Sequence, residues 1–161
     1  MPRRKGKVCK REVIADPVYG SQLVQKLINV VMWRGKKNVA RSIVYEALKS
    51  LESKSGNNDK AKALELFTKS FEKIVPLVQV RSRRVGGSVY QVPTEVTPER
   101  GQALAISWLI KAAASRSDKT MGKRLAKELL DAHAGQGGAI KKKLEVLRMA
   151  DANRAFAHYA W

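Results

Sequence analysis

The residues best equipped for chemistry lie in the run Gln79-Val80-Arg81-Ser82-Arg83-Arg84-Val85-Gly86-Gly87-Ser88-Val89-Tyr90-Gln91-Val92. Guanidinium groups bind phosphate through paired N–H donors and also stack on bases, so Arg81, Arg83 and Arg84 point to a polyanionic ligand. β-Branched and aromatic residues around Gly86-Gly87 predict a two-stranded hairpin, because glycine accepts the positive φ of a primed turn. A two-residue turn sets Val85 opposite Ser88, Arg83 opposite Tyr90, and Arg81 opposite Val92. Arg81, Arg83, Val85 and Tyr90 then share one face, and Arg84 and Val89 the other. Tyr90 has two readings: a platform for a base, or a ring packed on the hairpin's own valines.

Catalytic chemistry has little to build on. His133, His158 and Cys9 stand far apart in the chain, without the short fixed spacing of a metal site. Glu128, Asp131 and Glu145 lie among lysines and are expected to form surface ion pairs. Gly135-Gln136-Gly137-Gly138 follows a helix rather than a strand, and no Gly-Lys-Ser/Thr closes it, so it reads as a helix stop rather than a phosphate loop. The sequence therefore predicts a non-enzyme with no catalytic residues, metal or cofactor. Basic clusters recur where helices begin or end: Arg34/Lys36/Lys37, Lys111/Arg116/Lys119, Lys123/Arg124/Lys127 and Lys141/Lys142/Lys143. Singly, each suits a solvated face; together with an arginine-rich finger they predict a distributed phosphate-binding surface.

Helices must carry these clusters. Apolar periodicity predicts a first helix over about 21–33 with Leu23, Leu27, Val30 and Val31 inward, stopped at Gly35. A second runs to about Ser53 with Ala40, Val44, Ala47, Leu48 and Leu51 on one buried face. Asp59 caps a third, which aligns Ala63, Phe67, Phe71 and Ile74 and ends before Pro76. Thr97-Pro98 starts a fourth, with Leu104, Ala105, Trp108, Leu109 and Ala112 inward. A fifth begins near Lys119 and aligns Met121, Leu125, Leu129 and Ala132; a sixth contains Ile140, Leu144, Leu147 and Met149. The fold class is all-α: a six-helix, bundle-like body with one β-hairpin (77–94) protruding between helices three and four. A basic flexible arm (1–15) precedes it, all within a single domain spanning 1–161.

Charge names the class of partner. The chain has 161 residues, with Lys+Arg 32 against Asp+Glu 14 and a net charge of +18. Self-repulsion on that scale opposes compaction and is relieved by a polyanion, nucleic acid first and an anionic membrane surface second. No apolar run is long enough to span a bilayer, and no secretory leader is visible. The single cysteine suits a reducing, cytoplasmic or organelle-matrix compartment. Low aromatic content argues for recognition of shape and backbone over a base-stacking sheet. The alternative is a DNA-architectural protein with the hairpin as a minor-groove wedge, but such wedges carry an apolar residue or proline at the tip, and this tip is Gly86-Gly87.

Three segments carry a resemblance: Ser21–Ala47 with Leu27-Ile28, Gly35-Lys36-Lys37 and Ile43-Val44; Val80 through Pro93; and Met149 through Tyr159. In order and spacing they resemble one family, the seventh protein of the small ribosomal subunit in its bacterial form. The resemblance implies a non-catalytic protein that binds the 3′ major domain of 16S rRNA and nucleates assembly of the subunit head. It implies a hairpin facing exit-site tRNA and mRNA, and neighbours in small-subunit proteins nine and eleven. Carried over by position, rRNA contacts fall to Arg3, Arg4, Lys7, Lys10, Lys36, Lys37, Arg100, Arg116, Lys119, Lys141, Lys142 and Lys143. The tRNA- and mRNA-proximal group is Arg81, Arg83, Arg84, Gly86, Gly87 and Tyr90. Gly101, Ser107, Ala114, Leu147 and Ala160 depart from residues common in the family, each removing a charge or polar group.

Overall fold

A computed structural model of the chain describes residues 12–54 and 59–159. Six helices follow in order: α1 (Gln22–Val31), α2 (Lys37–Lys54), α3 (Lys60–Ile74), α4 (Pro98–Ala114), α5 (Met121–His133) and α6 (Gly138–Ala152). Strands β1 (Val78–Val85) and β2 (Ser88–Glu95) form an antiparallel pair between α3 and α4. A 3-10 helix (Arg154–Tyr159) follows α6, an element that apolar periodicity does not predict. Arg3, Arg4, Lys7, Lys10 and Cys9 lie outside the described residues, as does Ala160.

α5 is the hub of the body, packing on α2, α3, α4 and α6. Its inward residues Leu125, Leu129 and Ala132 are completely buried, and they meet a core that includes Val44, Leu48, Phe67 and Leu109. Truncating a buried leucine of this kind removes about 2–5 kcal/mol, so this layer fixes the helix ends on which the basic clusters sit. The predicted inner faces of α2 and α3 are fully buried. Asp59 caps α3 by accepting from the Ala61 amide at 3.0 Å. Thr97 occupies the N-cap position of α4 but makes no side-chain cap bond, and Pro98 stands at the first helical position, where no N–H is needed.

The expected stripe of α1 is corrected. Val24, Leu27 and Ile28 are buried, whereas Val30 is 52% exposed. The buried face follows i, i+3, i+4 from Val24, and Val30 falls outside that arc. α1 also ends at Val31, since Met32 turns to extended backbone and leaves Trp33 outside the helix. On α6 the buried face is Ala139, Ile140, Val146 and Ala150, while Leu144 and Met149 are exposed.

Two tyrosines tie the segment before α1 to α2. Asp16 is buried and accepts from the amides of Val18 and Tyr19 and from the Tyr45 hydroxyl at 2.8 Å. The Tyr19 hydroxyl donates to Glu52 at 2.9 Å. Burial, then a hydrogen bond to a carboxylate, raises the pKa of both phenols above the ordinary 10.0. A pKa raised by folding contributes stability that is full below pH 10 and lost as pH climbs through the folded values. Alkaline titration should therefore show Tyr19 and Tyr45 ionising late, with the denaturation midpoint falling above pH 10. Tyr19→Phe should flatten part of that fall, and an unchanged profile in Tyr19→Phe would contradict the assignment.

Candidate nucleic-acid interface

The hairpin has the predicted register, with Val85 opposite Ser88, Arg84 opposite Val89, Arg83 opposite Tyr90 and Arg81 opposite Val92. Gly86 and Gly87 have φ of 58° and 88°, the positive pair of a type I′ turn, and both are exposed. Arg81 and Arg84 are exposed and Arg83 is half-buried, so guanidinium groups occupy both faces of the finger.

Tyr90 packs, but not on the hairpin's valines. Its ring centroid lies 4.9 Å from Phe156 and 5.7 Å from Tyr159, with tilted planes. These partners belong to the 3-10 helix, whose Tyr159 also meets the His158 ring at 3.9 Å. Lower on the same face Val92 is fully buried, and β1 packs on α6. One face of the finger is thus seated on the C-terminal elements, while Arg84 and the 66% exposed Val89 point the other way.

Around the body the basic residues divide into two sets. Lys36 and Lys37 are exposed at the start of α2, Arg100 at the start of α4, Lys119 just before α5 and Lys141 on the first turn of α6. Others are engaged within the protein. Arg116 bonds Glu128 through Nε at 2.7 Å and through Nη2 at 2.6 Å, and also pairs with Asp131. Burial opposes its charge, but the hydrogen bonds to Asp131 and Glu128 prevail and raise its pKa. Lys142 pairs with Glu145 at 2.8 Å. Lys143 donates to the Lys73 carbonyl at 2.6 Å, and burial lowers its pKa. Lys127 pairs with Asp118, and Arg124 bonds the carbonyls of Asp118 and Ala114. Lys119, Lys123 and Lys127 line one groove beside Ser50 of α2, and Arg116 and Lys141 line another beside the α5–α6 loop.

Glu128 corrects the expectation of a surface pair. It is 1% exposed, and its second oxygen accepts from the Ala139 amide at 2.9 Å. Gly137, at φ 103°, allows this closure: a Cβ there would stand 2.8 Å from the Glu128 oxygen. The glycine-rich loop therefore does cradle an anion at the start of a helix, but the anion is the protein's own carboxylate. Asp131 is also drawn to Arg116, whereas Glu145 is the surface partner expected. Gly101 is buried, and a Cβ would come 3.1 Å from the Val75 side chain and 3.3 Å from the Pro76 carbonyl. A larger residue there requires the α3–β1 connection to shift.

Trp33, expected as the last residue of the first helix, lies beyond α1 and is 75% exposed beside Lys36 and Lys37. The signal for it is its place next to Arg34-Gly35, where the helix stops. Among the described residues no group of three or more His, Cys, Asp or Glu side chains could hold a metal ion. Nor, among them, is any helix long and apolar enough to cross a membrane.

Residues 3–154 match the family model described as ribosomal protein S7p/S5e. The chain is 55% identical to the small ribosomal subunit protein uS7 of Koribacter versatilis, with 100% of both chains covered. It is 53% identical to the protein of the same description from Acidobacterium capsulatum and 49% identical to that from Acholeplasma laidlawii, again with 100% of both chains covered.

Proposed function

Since the chain belongs to the ribosomal protein S7p/S5e family, and so is a non-enzymatic structural protein of the small ribosomal subunit, we propose that it binds the 3′ major domain of 16S rRNA and nucleates assembly of the subunit head. The helix-end cations Lys36, Lys37, Arg100, Lys119 and Lys141 hold rRNA phosphates, together with the arm residues Arg3, Arg4, Lys7 and Lys10. Arg81, Arg83 and Arg84 carry the finger toward exit-site tRNA and mRNA, and small-subunit proteins nine and eleven are its neighbours in the cytoplasmic subunit. The observation that supports this reading is a helical body with exposed cations at its helix ends, joined to a finger that is seated by one face while Arg81 and Arg84 stay exposed. Backbone contacts of this kind set register and orientation on a folded RNA.

The test is binding to a transcript of the 3′ major domain and to duplex DNA at equal salt, with co-sedimentation on small subunits after a moderate salt wash. Preferred binding to the transcript and retention on subunits support the proposal. Equal or tighter DNA binding would favour the architectural alternative. Arg81→Ala combined with Arg83→Ala should weaken tRNA or rRNA binding and lower the salt slope by about 1 for each phosphate no longer neutralised. Helical circular dichroism should stay at the parent level, because Val92, and neither arginine, is the fully buried side chain of the finger. A large loss of helix in that double variant would contradict the separation of finger from body.

A further inference from the structure

Between α1 and α2 the chain makes a turn with an uncommon backbone. The Lys36 amide donates to the Trp33 carbonyl at 3.1 Å, closing Trp33-Arg34-Gly35-Lys36. Arg34 and Gly35 have φ of 50° and 76°, and Arg34 is the only non-glycine residue with positive φ among the described residues. A non-glycine residue is strained there, and such outliers collect where a surface is shaped for a ligand. The consequence of this turn is the position of Trp33. Its indole stands 75% exposed at the mouth of a shallow groove of about 290 Å³, lined by Val31, Val39 and Ile43 and rimmed by Arg34 and Lys36. Val39 on that wall is itself 58% exposed. Lys37 follows the rim, and the first turn of α2 contains no acidic residue.

We propose that Trp33 is a stacking site for an unpaired nucleobase of the RNA, with Arg34, Lys36 and Lys37 holding the phosphates on either side. The inference rests on the rRNA-binding reading above and adds to it a contact made to a base rather than to the backbone. Charge decides the occupant. A flat aromatic surface with three cations within the next four residues complements a base with its flanking phosphates. A docked apolar helix would instead need a longer apolar stripe and a rim free of uncompensated charge. The β-branched wall of the groove supports the edge of the base, while the turn places Trp33 at the mouth of the groove.

The test compares the full-length parent, Trp33→Ala, Trp33→Phe and Lys36→Ala for binding to the 3′ major domain transcript across a salt series. Trp33→Ala should bind about 5- to 150-fold more weakly, the range expected when a base–aromatic stack is removed. Trp33→Phe should recover most of that affinity, and the salt slope of both should match the parent. Lys36→Ala should instead lower the slope by about 1. Binding by Trp33→Ala within twofold of the parent would overturn the stacking site, as would a phenylalanine variant no better than alanine. Loss of helical circular dichroism in Trp33→Ala would also overturn it, by making the indole a structural residue. Normal transcript binding with poor incorporation into subunits would assign the surface to a protein neighbour and reject the base. If the parent itself fails to bind the transcript, the rRNA reading falls first and the stacking site with it.

Discussion

Glu128→Ala is expected to lose about 3–5 kcal/mol of folding stability, the cost of stranding one member of a buried ion pair. Removing the carboxylate leaves the Arg116 guanidinium with only the half-exposed Asp131, and it leaves the Ala139 amide without its acceptor. The pair at Asp131 cannot compensate, since ion pairs open to water contribute about 0–1 kcal/mol. Arg116→Ala should be nearly as damaging, because it abandons a carboxylate that is 1% exposed. The double variant should cost clearly less than the sum of the two, since each single change already destroys the same interaction. Urea denaturation followed by circular dichroism measures all three. Additive losses would mean that Glu128 and Arg116 act independently. Glu128→Gln should fall between parent and alanine, keeping an oxygen for the Ala139 amide while turning amide hydrogens toward Arg116.

Binding to rRNA should fall by about 10³- to 10⁵-fold between 50 mM and 200 mM salt if about 6–10 phosphates are neutralised, by analogy with duplex DNA. Structure refines which cations set that slope. The count of 32 lysines and arginines overstates it, because Arg116, Lys127 and Lys142 already face carboxylates of the same chain. Lys36→Ala, Lys37→Ala and Lys141→Ala should each reduce the slope by about 1, with folding unchanged. Arg116→Ala should lower stability while leaving the slope of the folded protein close to parental. Filter binding across a salt series, carried out on folded protein, separates the two. A shallow parental slope would overturn the distributed surface, and a full unit of slope removed by Arg116→Ala would make that guanidinium a phosphate ligand after all.

Features written into local spacing are legible in the sequence. Ala40, Val44, Ala47, Leu48 and Leu51 repeat with the helical period, and all five are buried. Gly86-Gly87 between β-branched runs specifies a primed turn, and with it the register that sets Arg83 opposite Tyr90. What stays hidden depends on partners distant in sequence. Glu128 sits on a helix rich in lysines, so its neighbours along the helix advertise a surface pair; its true partner comes from the α4–α5 connection. Tyr90 is open between stacking and packing on sequence alone because Phe156 and Tyr159 lie at the far end of the chain, in a short 3-10 helix with no 3.6-residue periodicity to announce it. Within the candidate interface, the exposed cations are readable by type. Arg116, Lys142 and Lys143 are not separable from them, since only tertiary contacts show which charges are already answered.

The seat of the finger on Phe156 and Tyr159 also orders events during synthesis. Domains fold from the N-terminal side as the chain emerges, so β1 and β2 leave the exit tunnel long before the residues that hold them in place. A two-stranded hairpin alone is at best marginally stable in water, and until α6 and residues 154–159 arrive this one has little beyond its own ladder to rely on. The nascent protein can thus complete much of its helical core while the finger still lacks a fixed direction. Aim is acquired last: a chain broken off before α6 would leave the finger unseated, and one broken off after α6 would seat its base but leave Tyr90, opposite Arg83, without its aromatic partners.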